Sequence, residues 1–394
     1  MAVPKLRFKA EDGSEFPEWE EMKLKDYCVY CKERNRSKVY IGTENMKKDF
    51  SGIEVDENRE LAEGVEFSVG DILMSNIRPY LKKVWLADKS GVCSSDVLVF
   101  RPQRIYSNFL YYIIASEKFI EYVMSAAKGS KMPRGDKKHI MEMQLYSPSL
   151  PEQQKIADFL STIDSIISSQ KEELSAWEQR KKGVMQKLFS QEVRFKADDG
   201  SEFPEWEEKR LGDYLQENKN RNIDNRYSKN DVLSVSGEYG VVNQIDFQGR
   251  SFAGKSVGQY HILPHRGIVY TKSPLKLAPY GIIKSNQGNE GIVSTLYAVF
   301  DCKSNCDSLF IDYFFSLKDK LNHYLKPLVN IGAKHDMKIS NERFLSGLVV
   351  FPSLKEQQKI ADCLSSIDEV IQKEKEELEK WQELKKGLLQ QMFV

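Results

Sequence analysis

The sequence predicts an α+β protein in which two paralogous, mixed α/β modules are each followed by one long helix. Three observations lead to this class. The chain of 394 residues is a tandem duplication, each copy ends in a long heptad-patterned segment, and short alternating apolar runs precede that segment in both copies. The duplicated segments divide the chain into a first module at 1–148, a first long helix and linker at 149–193, a second module at 194–352 and a second long helix at 353–394.

The duplication is clearest at the start of each module and at the start of each helix. Residues 7–27 recur at 194–214 with 17 of 21 positions identical, and residues 149–164 recur at 353–368 with 13 of 16 identical. The stretches between these segments diverge sharply. One scaffold with two different surfaces is therefore expected, which suits two different ligands of one chemical class.

Apolar residues recur with a heptad period through both long segments, as they do in the seam of a coiled coil. Each helix is expected to contain about 38 residues and to be about 57 Å long at 1.5 Å per residue. A globular module rarely covers that length, so pairing of the two helices is favoured over packing of each helix on its own module alone. The residues expected in this pairing are Ile156, Leu160, Ile163, Ile167, Leu174, Trp177, Ile360, Leu364, Ile367, Ile371, Leu378 and Trp381.

Polar residues interrupt the heptad pattern at the same places in both helices. Gln170 corresponds to Glu374, and Lys181 corresponds to Lys385. Polar residues at such positions cost stability and tend to set the register of the pair.

The first residues of each helix match the pattern of a capping box, in which a serine and the glutamate three residues later satisfy the first backbone amides. Ser149 with Glu152 and Ser353 with Glu356 are the two matches. Capping boxes are therefore expected at both helix starts.

The charged residues balance over the whole chain, with 58 basic and 58 acidic side chains, which by itself disfavours a nucleic-acid binder. The balance changes when the chain is divided at its repeats. Residues 28–148 carry a net charge of +3 and residues 215–352 carry +5, whereas the repeated segments together carry −8. Two basic modules on an acidic scaffold favour contact between the modules and a polyanion.

Basic side chains in the modules alternate with hydrogen-bonding and aromatic ones in segments whose Gly, Pro and Asn content is typical of loops. Arg and Lys can recognise guanine and Asn can recognise adenine, so this composition favours DNA contact. For any single residue, a solvated charged loop is the alternative. The candidate DNA-contacting residues are Arg34, Arg36, Asn76, Arg78, Lys82, Lys83, Lys131 and Arg134 in the first module, and Arg221, Arg226, Lys255, Lys272, Lys276, Lys284, Asn286 and Lys334 in the second.

One segment, Gly249–Ser256, matches the phosphate-binding pattern G-x-x-x-x-G-K-[ST]. A P-loop requires a helix directly after this pattern, and Gly258 and Pro264 disrupt any helix there. A nucleotide-binding protein using this segment is an alternative function. A coiled-coil scaffold without DNA affinity and a binder of another polyanion, such as RNA, are two others.

Six cysteines and the absence of a signal-like apolar N-terminus favour a cytoplasmic protein with reduced thiols. Cys28 with Cys31 and Cys302 with Cys306 could supply four zinc ligands, but the two pairs lie about 270 residues apart, so no metal site is expected. The sequence contains no HExxH or G-x-S-x-G motif and no catalytic residue is assigned.

The duplicated motifs resemble those of the specificity subunits of type I restriction-modification systems. The likeness lies in Phe16–Trp19 with Leu24 to Tyr27, in Glu152–Ala157, and in the corresponding residues of the second copy. It covers essentially the whole chain, and the doubled order of the motifs makes it specific.

The resemblance implies that each module is a target-recognition domain that reads one half of a split DNA sequence. It further implies that the helices form an antiparallel coiled coil, which sets the spacer and docks two modification subunits that motor-nuclease (restriction) subunits can join. The chain would be non-catalytic and without its own cofactor, while S-adenosylmethionine, ATP and magnesium would be used by the other subunits. No membrane association is expected.

Overall fold

The structure is a computed structural model, and the residues it describes are 4–56, 58–254, 256–273, 278–331 and 337–393. Its contacts divide the chain into two compact units, Met1–Glu173 with Glu374–Val394, and Leu174–Lys373. Each unit contains one module together with half of each long helix. The grouping therefore cuts across the four consecutive regions expected from the repeats.

The first module is built from short strands and short helices. Its strands are β1 (Glu20–Lys23), β2 (Cys28–Tyr30), β3 (Arg34–Ser37), β4 (Tyr40–Ile41), β5 (Ala62–Phe67), β6 (Ile72–Ser75), β7 (Val84–Leu86), β8 (Gly91–Cys93), β9 (Val97–Pro102) and β10 (Gln144–Ser147). Its helices are α1 (Leu24–Tyr27), α2 (Ser107–Ile114), α3 (Glu117–Ser125) and α4 (Lys137–Met141).

The strands of the first module form three sheets. One antiparallel sheet has the order β2-β9-β6-β7, a second has the order β3-β5-β8-β4, and β1 pairs with β10. Every residue of β6 is buried, because the first sheet is covered on both faces. Phe109 of α2 and Phe119 of α3 are fully buried in the same cluster as Phe100 of β9, so these helices form one of the covers.

The second module follows the first long helix, α5 (Leu150–Phe189). Its strands are β11 (Glu207–Arg210), β12 (Leu215–Glu217), β13 (Leu233–Ser236), β14 (Gly240–Asn243), β15 (His261–Leu263), β16 (Ile268–Tyr270), β17 (Ile283–Ser285), β18 (Gly291–Val293), β19 (Ala298–Cys302), β20 (Asn330–Ile331), β21 (Met337–Lys338) and β22 (Leu348–Phe351). Its helices are α6 (Gln244–Gln248), α7 (Ser308–Ser316), α8 (Lys318–Leu325) and α9 (Asn341–Leu345), and the second long helix is α10 (Leu354–Met392).

The two modules share one fold, as the repeats predict. The second module has a sheet of order β12-β19-β16-β17, which matches β2-β9-β6-β7 of the first. The register also matches, since Ile72 pairs with Phe100 and Ile268 pairs with Phe300. The modules differ in the neighbouring strands. In the first module these form one sheet of order β3-β5-β8-β4, whereas in the second module β13-β14 and β15-β18 form two separate pairs.

The long helices pair with each other inside each unit. In the first unit, Lys385 contacts Asp164 at 2.5 Å and Gln170 donates a hydrogen bond to Glu374, so residue numbers rise along one helix as they fall along the other. In the second unit, Lys181 contacts Asp368 at 2.5 Å. The expected antiparallel pairing is confirmed, and the helices contain 40 and 39 residues.

The outer ends of the predicted seam also pack on the modules. Ile156 and Leu160 are fully buried in the core cluster of the first module, which also contains Met392 from the end of α10. Ile360 and Leu364 lie in the corresponding cluster of the second module. The central seam residues Leu174, Trp177, Leu378 and Trp381 are half-buried, while Ile163, Ile167 and Ile371 are buried and Ile367 packs against the second cluster.

The capping boxes expected at the two helix starts are not formed. The Ser149 and Ser353 hydroxyls have no hydrogen-bond partner among the described residues. The reason lies far along the chain, because an arginine from the start of each module takes the glutamate that would complete the box. Among the described helices, none is long and apolar enough to cross a membrane.

Candidate nucleic-acid interface

The repeated segments form a clamp that holds the start of each module on its helix. Arg7 donates two hydrogen bonds to Glu152, at 3.0 and 2.8 Å, and one to the carbonyl of Pro17 at 2.7 Å. The Glu152 side chain is fully buried, and the hydrogen bonds to it raise the pKa of the Arg7 guanidinium. Arg194 and Glu356 repeat this arrangement in the second unit. The duplicated segments thus form the same buried ion pair in each copy.

The glutamine after each clamped glutamate ties the helix to the backbone of the module. Gln153 donates to the Pro148 carbonyl at 2.9 Å and accepts from the Tyr106 amide at 2.8 Å. Gln357 donates to the Pro352 carbonyl at 2.9 Å and accepts from the Asp307 amide at 2.9 Å. Both contacts use main-chain groups, so they tolerate divergence of the module sequence.

A second duplicated contact joins each module to both helices. The Tyr112 hydroxyl donates to Asp164 of α5 at 2.8 Å, and Lys385 of α10 pairs with the same carboxylate at 2.5 Å. We call this Tyr–Asp–Lys group the helix joint. The sequence prediction missed it, although its signal was present.

The second unit contains the same joint. The Tyr313 hydroxyl donates to Asp368 at 2.7 Å, and Lys181 pairs with that aspartate at 2.5 Å. The aspartate and the lysine each recur at the repeat offset in the sequence. The two polar interruptions of the seam at Lys181 and Lys385 therefore bind aspartates of the opposite helix.

Four predicted DNA-contacting residues of the first module come together near the end of β6. Arg78 donates its backbone amide to the Pro133 carbonyl at 2.8 Å, and Ile77 forms an isolated bridge with Arg134. Asn76, Arg78, Lys131 and Arg134 are thereby assigned to one region. Lys131 and Arg134 are exposed, Arg78 is half-buried and Asn76 is buried.

The other candidates of the first module flank this region or lie on another sheet. Lys82 pairs with Glu117 at 2.5 Å, and Lys83 donates to the Thr43 carbonyl at 2.6 Å. Both lysines are half-buried next to the 3-10 turn that follows Arg78. Arg34 and Arg36 are exposed on β3 of the second sheet.

In the second module, three candidates are placed by short polar contacts. The exposed Arg221 donates to the Gln259 carbonyl at 2.8 Å, and the exposed Arg226 lies 3.8 Å from Glu290. Lys272 is half-buried at the end of β16 and donates to Asn341. Burial lowers the pKa of Lys272, so its ammonium is held in a less favourable environment than a surface lysine.

The structure corrects the prediction for Lys284 and Asn286. Lys284 lies on β17 with 8% exposure, and its ammonium contacts Asp312 and Ser316 at 2.8 Å each. Asn286 has 1% exposure and donates to backbone carbonyls, including that of Asn289 at 3.0 Å. Both residues satisfy polar groups inside the module and do not offer their side chains to DNA. The sequence around them was interpreted as an exposed loop because a buried segment with polar side chains has the same composition.

Lys255, Lys276 and Lys334 lie outside the described residues. The geometry around Gly249–Ser256 nevertheless differs from a P-loop. The short helix α6 precedes Gly249, and the strand β15 follows the segment, so the strand and helix are in the wrong order for a phosphate cradle.

The cysteines are free thiols. Burial raises the pKa of Cys28 and of Cys93 to about 12, and that of Cys31 to about 11. A thiol with such a pKa is protonated at neutral pH. Among the described residues, no group of three or more Cys, His, Asp or Glu side chains is arranged to hold a metal ion.

Comparison with known proteins agrees with this architecture. The family described as "Type I restriction modification DNA specificity domain" matches the chain twice, at residues 17–176 and 204–380. The MjaX specificity subunit of a type I restriction enzyme from Methanocaldococcus jannaschii is 26% identical over 419 residues, covering 95% of this chain and 93% of that protein. The MjaVIII specificity subunit from the same organism is 24% identical over 406 residues, covering 95% and 92%.

A solved structure shares the fold. The crystal structure of the type I restriction-modification system S subunit from M. genitalium superposes with a TM-score of 0.57 and 14% identity, covering 100% of this chain and 99% of that one. The chain therefore belongs to the family of type I restriction-modification DNA specificity subunits. In such a system, the enzymatic activities lie on other subunits.

Proposed function

We propose that this chain recognises a double-stranded DNA sequence in two halves, with one half read by each module. The observation that carries the proposal is the distribution of charge. The variable parts of the two modules, residues 28–148 and 215–352, are basic, at +3 and +5, and the repeated segments that build the clamps and helices are acidic, at −8. Lysine and arginine contacts to phosphates would supply affinity, and a few polar or arginine side chains at base edges would supply specificity.

The long helices act as a spacer in this proposal. A helix rises about 1.5 Å per residue, and B-DNA advances about 34 Å in each turn of about ten base pairs. The Asp–Lys pairs of the helix joints hold the helices in register, which supports a defined spacer length. Two modification subunits dock on the helical pair, and restriction subunits join that assembly.

The enzymatic subunits would bring the cofactors in this assembly. S-adenosylmethionine would be bound by the modification subunits, and ATP and magnesium by the restriction subunits. The complex would act on DNA in the cytoplasm. The contribution of this chain is the choice of the sites that are methylated or cut.

The spacer can be tested by removing one heptad from each helix, residues 171–177 and 372–378. This deletion leaves Asp164, Lys181, Asp368 and Lys385 in place. Seven residues correspond to about 10 Å, or about three base pairs of DNA. Mapping of methylated adenines by the complex with its modification subunits should give the same two half-sites with a spacer about three base pairs shorter. Altered half-sites with an unchanged spacer would contradict the proposal.

A further inference from the structure

The positive charge of the first module is concentrated in one short segment. Residues 128–138 contain five basic side chains and one acidic side chain, a net charge of +4. The variable part of the module, residues 28–148, carries only +3, so the rest of that part is slightly acidic. A polyanion that approaches this module is therefore attracted to the segment 128–138.

The first part of this segment is a closed loop. Lys128 and Arg134 exchange two backbone hydrogen bonds of 2.9 Å each, and Pro133 is buried beneath them. The backbone amide of Arg78 donates to the Pro133 carbonyl at 2.8 Å, which fastens the loop to the end of β6. We call residues 128–134 the reading loop. These backbone contacts place the loop beside the end of the buried strand β6.

The charged side chains at the base of the reading loop form ion pairs with aspartates, and the lysine at its tip forms none with a described side chain. Lys128 pairs with Asp136 at 2.9 Å, and Arg134 pairs with Asp96 at 3.1 Å. Hydrogen bonding from Lys128 and from backbone amides at the start of α4 lowers the pKa of Asp136 to about 2. The Lys128–Asp136 contact therefore joins an ammonium and a carboxylate at neutral pH. Lys131 at the tip is exposed and makes no ion pair or hydrogen bond with a described side chain.

The tip also carries an apolar side chain. Met132 is 48% exposed next to Lys131. In the major groove, a lysine can recognise the O6 and N7 acceptors of guanine, and an apolar side chain can contact the methyl group of thymine. The tip thus pairs one donor with one apolar group, which is more than a phosphate contact needs.

Strained and unsatisfied groups lie directly below the loop. Asn76 is 8% exposed, and its side-chain oxygen has no hydrogen-bond partner among the described residues. Arg78 has a left-handed backbone with φ of +51°, and its buried Nε has no partner among those residues either. Such costs are retained at binding sites more often than in structural cores.

We propose that the reading loop is the specificity-determining element of the first module, and that Lys131 and Met132 contact base edges in the major groove of its half-site. This inference rests on the proposed function, because it assumes that the module reads DNA. It assigns the reading of one half-site to two side chains on one loop.

The test uses the full chain with its modification subunits and a library of DNA sites in which both half-sites are randomised. The variants are Lys131→Ala and Met132→Ala, whose exposed side chains can be removed without opening the core. Lys89→Ala is the matched control, because Lys89 is an exposed lysine of the same module outside the segment 128–138. Methylation across the library and the salt dependence of DNA binding are measured for each protein.

Each tip variant should relax the preference at one or two bases of one half-site by at least about fivefold, with the other half-site unchanged. The salt dependence of DNA binding should have a similar slope in wild type, Lys131→Ala and Met132→Ala, and the loss of the lysine should change that slope by no more than about one unit. Lys89→Ala should match wild type in base preference. Uniformly weaker binding with unchanged base preference would reduce the loop to a phosphate contact and overturn the proposal. Unchanged binding and preference would overturn it as well.

Failure of the proposed function would look different. A wild-type complex that shows no two-part site in the library would contradict the reading of DNA in two halves, whatever the variants do. A wild-type complex with a clear two-part site and tip variants identical to it would contradict only the role of the reading loop.

Discussion

Replacing Arg7 with alanine should strongly destabilise the first unit. Glu152 has no exposed side-chain surface and receives two hydrogen bonds from Arg7, so the substitution would leave a buried carboxylate without its cation. Removal of one partner from a buried ion pair typically costs about 3–5 kcal/mol. That is a large share of the roughly 5–15 kcal/mol that stabilises a folded domain.

The expected loss can be separated from the effect of removing any basic residue. Lys9 lies two residues further on and pairs with Glu15 at 3.3 Å, with both side chains more than 60% exposed. Lys9→Ala should therefore cost no more than about 1 kcal/mol. Combining Arg7→Met with Glu152→Leu should recover most of the loss, because no buried charge then lacks a partner.

Urea unfolding followed by circular dichroism would measure these free energies, and hydrogen exchange would show where protection is lost. In Arg7→Ala, residues 4–23 should exchange faster while residues 191–210 keep their protection, since the latter use Arg194 and Glu356. If Arg7→Ala lies within about 1 kcal/mol of wild type and the exchange of residues 4–23 is unchanged, the clamp does not hold the module on its helix.

Three further outcomes follow from the structure. Burial lowers the pKa of His261 below its ordinary value of 6.5, so as the pH falls the unfolded chain is protonated at this residue before the folded chain is. The stability that the neutral imidazole contributes is complete above pH 6.5 and is lost as the pH falls below it. His261→Gln should therefore reduce the loss in urea midpoint between about pH 7.5 and 5.5. An equal loss in wild type and variant would contradict this. Tyr112→Phe removes a hydrogen bond of 2.8 Å to Asp164 and should cost about 1.5–3 kcal/mol in urea unfolding, and a neutral result would show that the helix joint does not stabilise the unit. Burial raises the pKa of Cys28 and of Cys93 to about 12, so at mildly alkaline pH both thiols should resist a thiol-specific reagent in the folded protein and react once the protein is unfolded. Mass spectrometry would measure the labelling. Fast labelling of the folded protein would show that these thiols are not buried.

The duplication made much of this architecture predictable. Comparing two copies shows which residues are kept, so the shared fold and the paired helices could be predicted from one sequence. The helix joints were equally accessible, because Asp164 and Lys181 recur at the repeat offset as Asp368 and Lys385. They were missed because a lysine in a seam was interpreted only as an interruption.

What could not be predicted depends on contacts between distant residues. The capping box failed at Glu152 because Arg7, 145 residues earlier, forms a stronger contact with that carboxylate. Lys284 and Asn286 were assigned to a surface loop because sequence composition does not distinguish a solvated polar segment from a buried one that is fully hydrogen-bonded. The grouping of Asn76, Arg78 and the reading loop depends on pairing between residues more than 50 positions apart.

The helix joint and the glutamine contacts have a consequence for how new specificities arise. Gln153 holds the first module mainly through backbone groups, and the helix joint draws only the Tyr112 hydroxyl from the divergent sequence. An incoming module therefore needs a correctly placed tyrosine, an unchanged backbone path and apolar side chains that pack on Ile156 and Leu160. A gene that exchanges its middle segment by recombination can acquire a new recognition sequence in one event, without any compensating change in the helices.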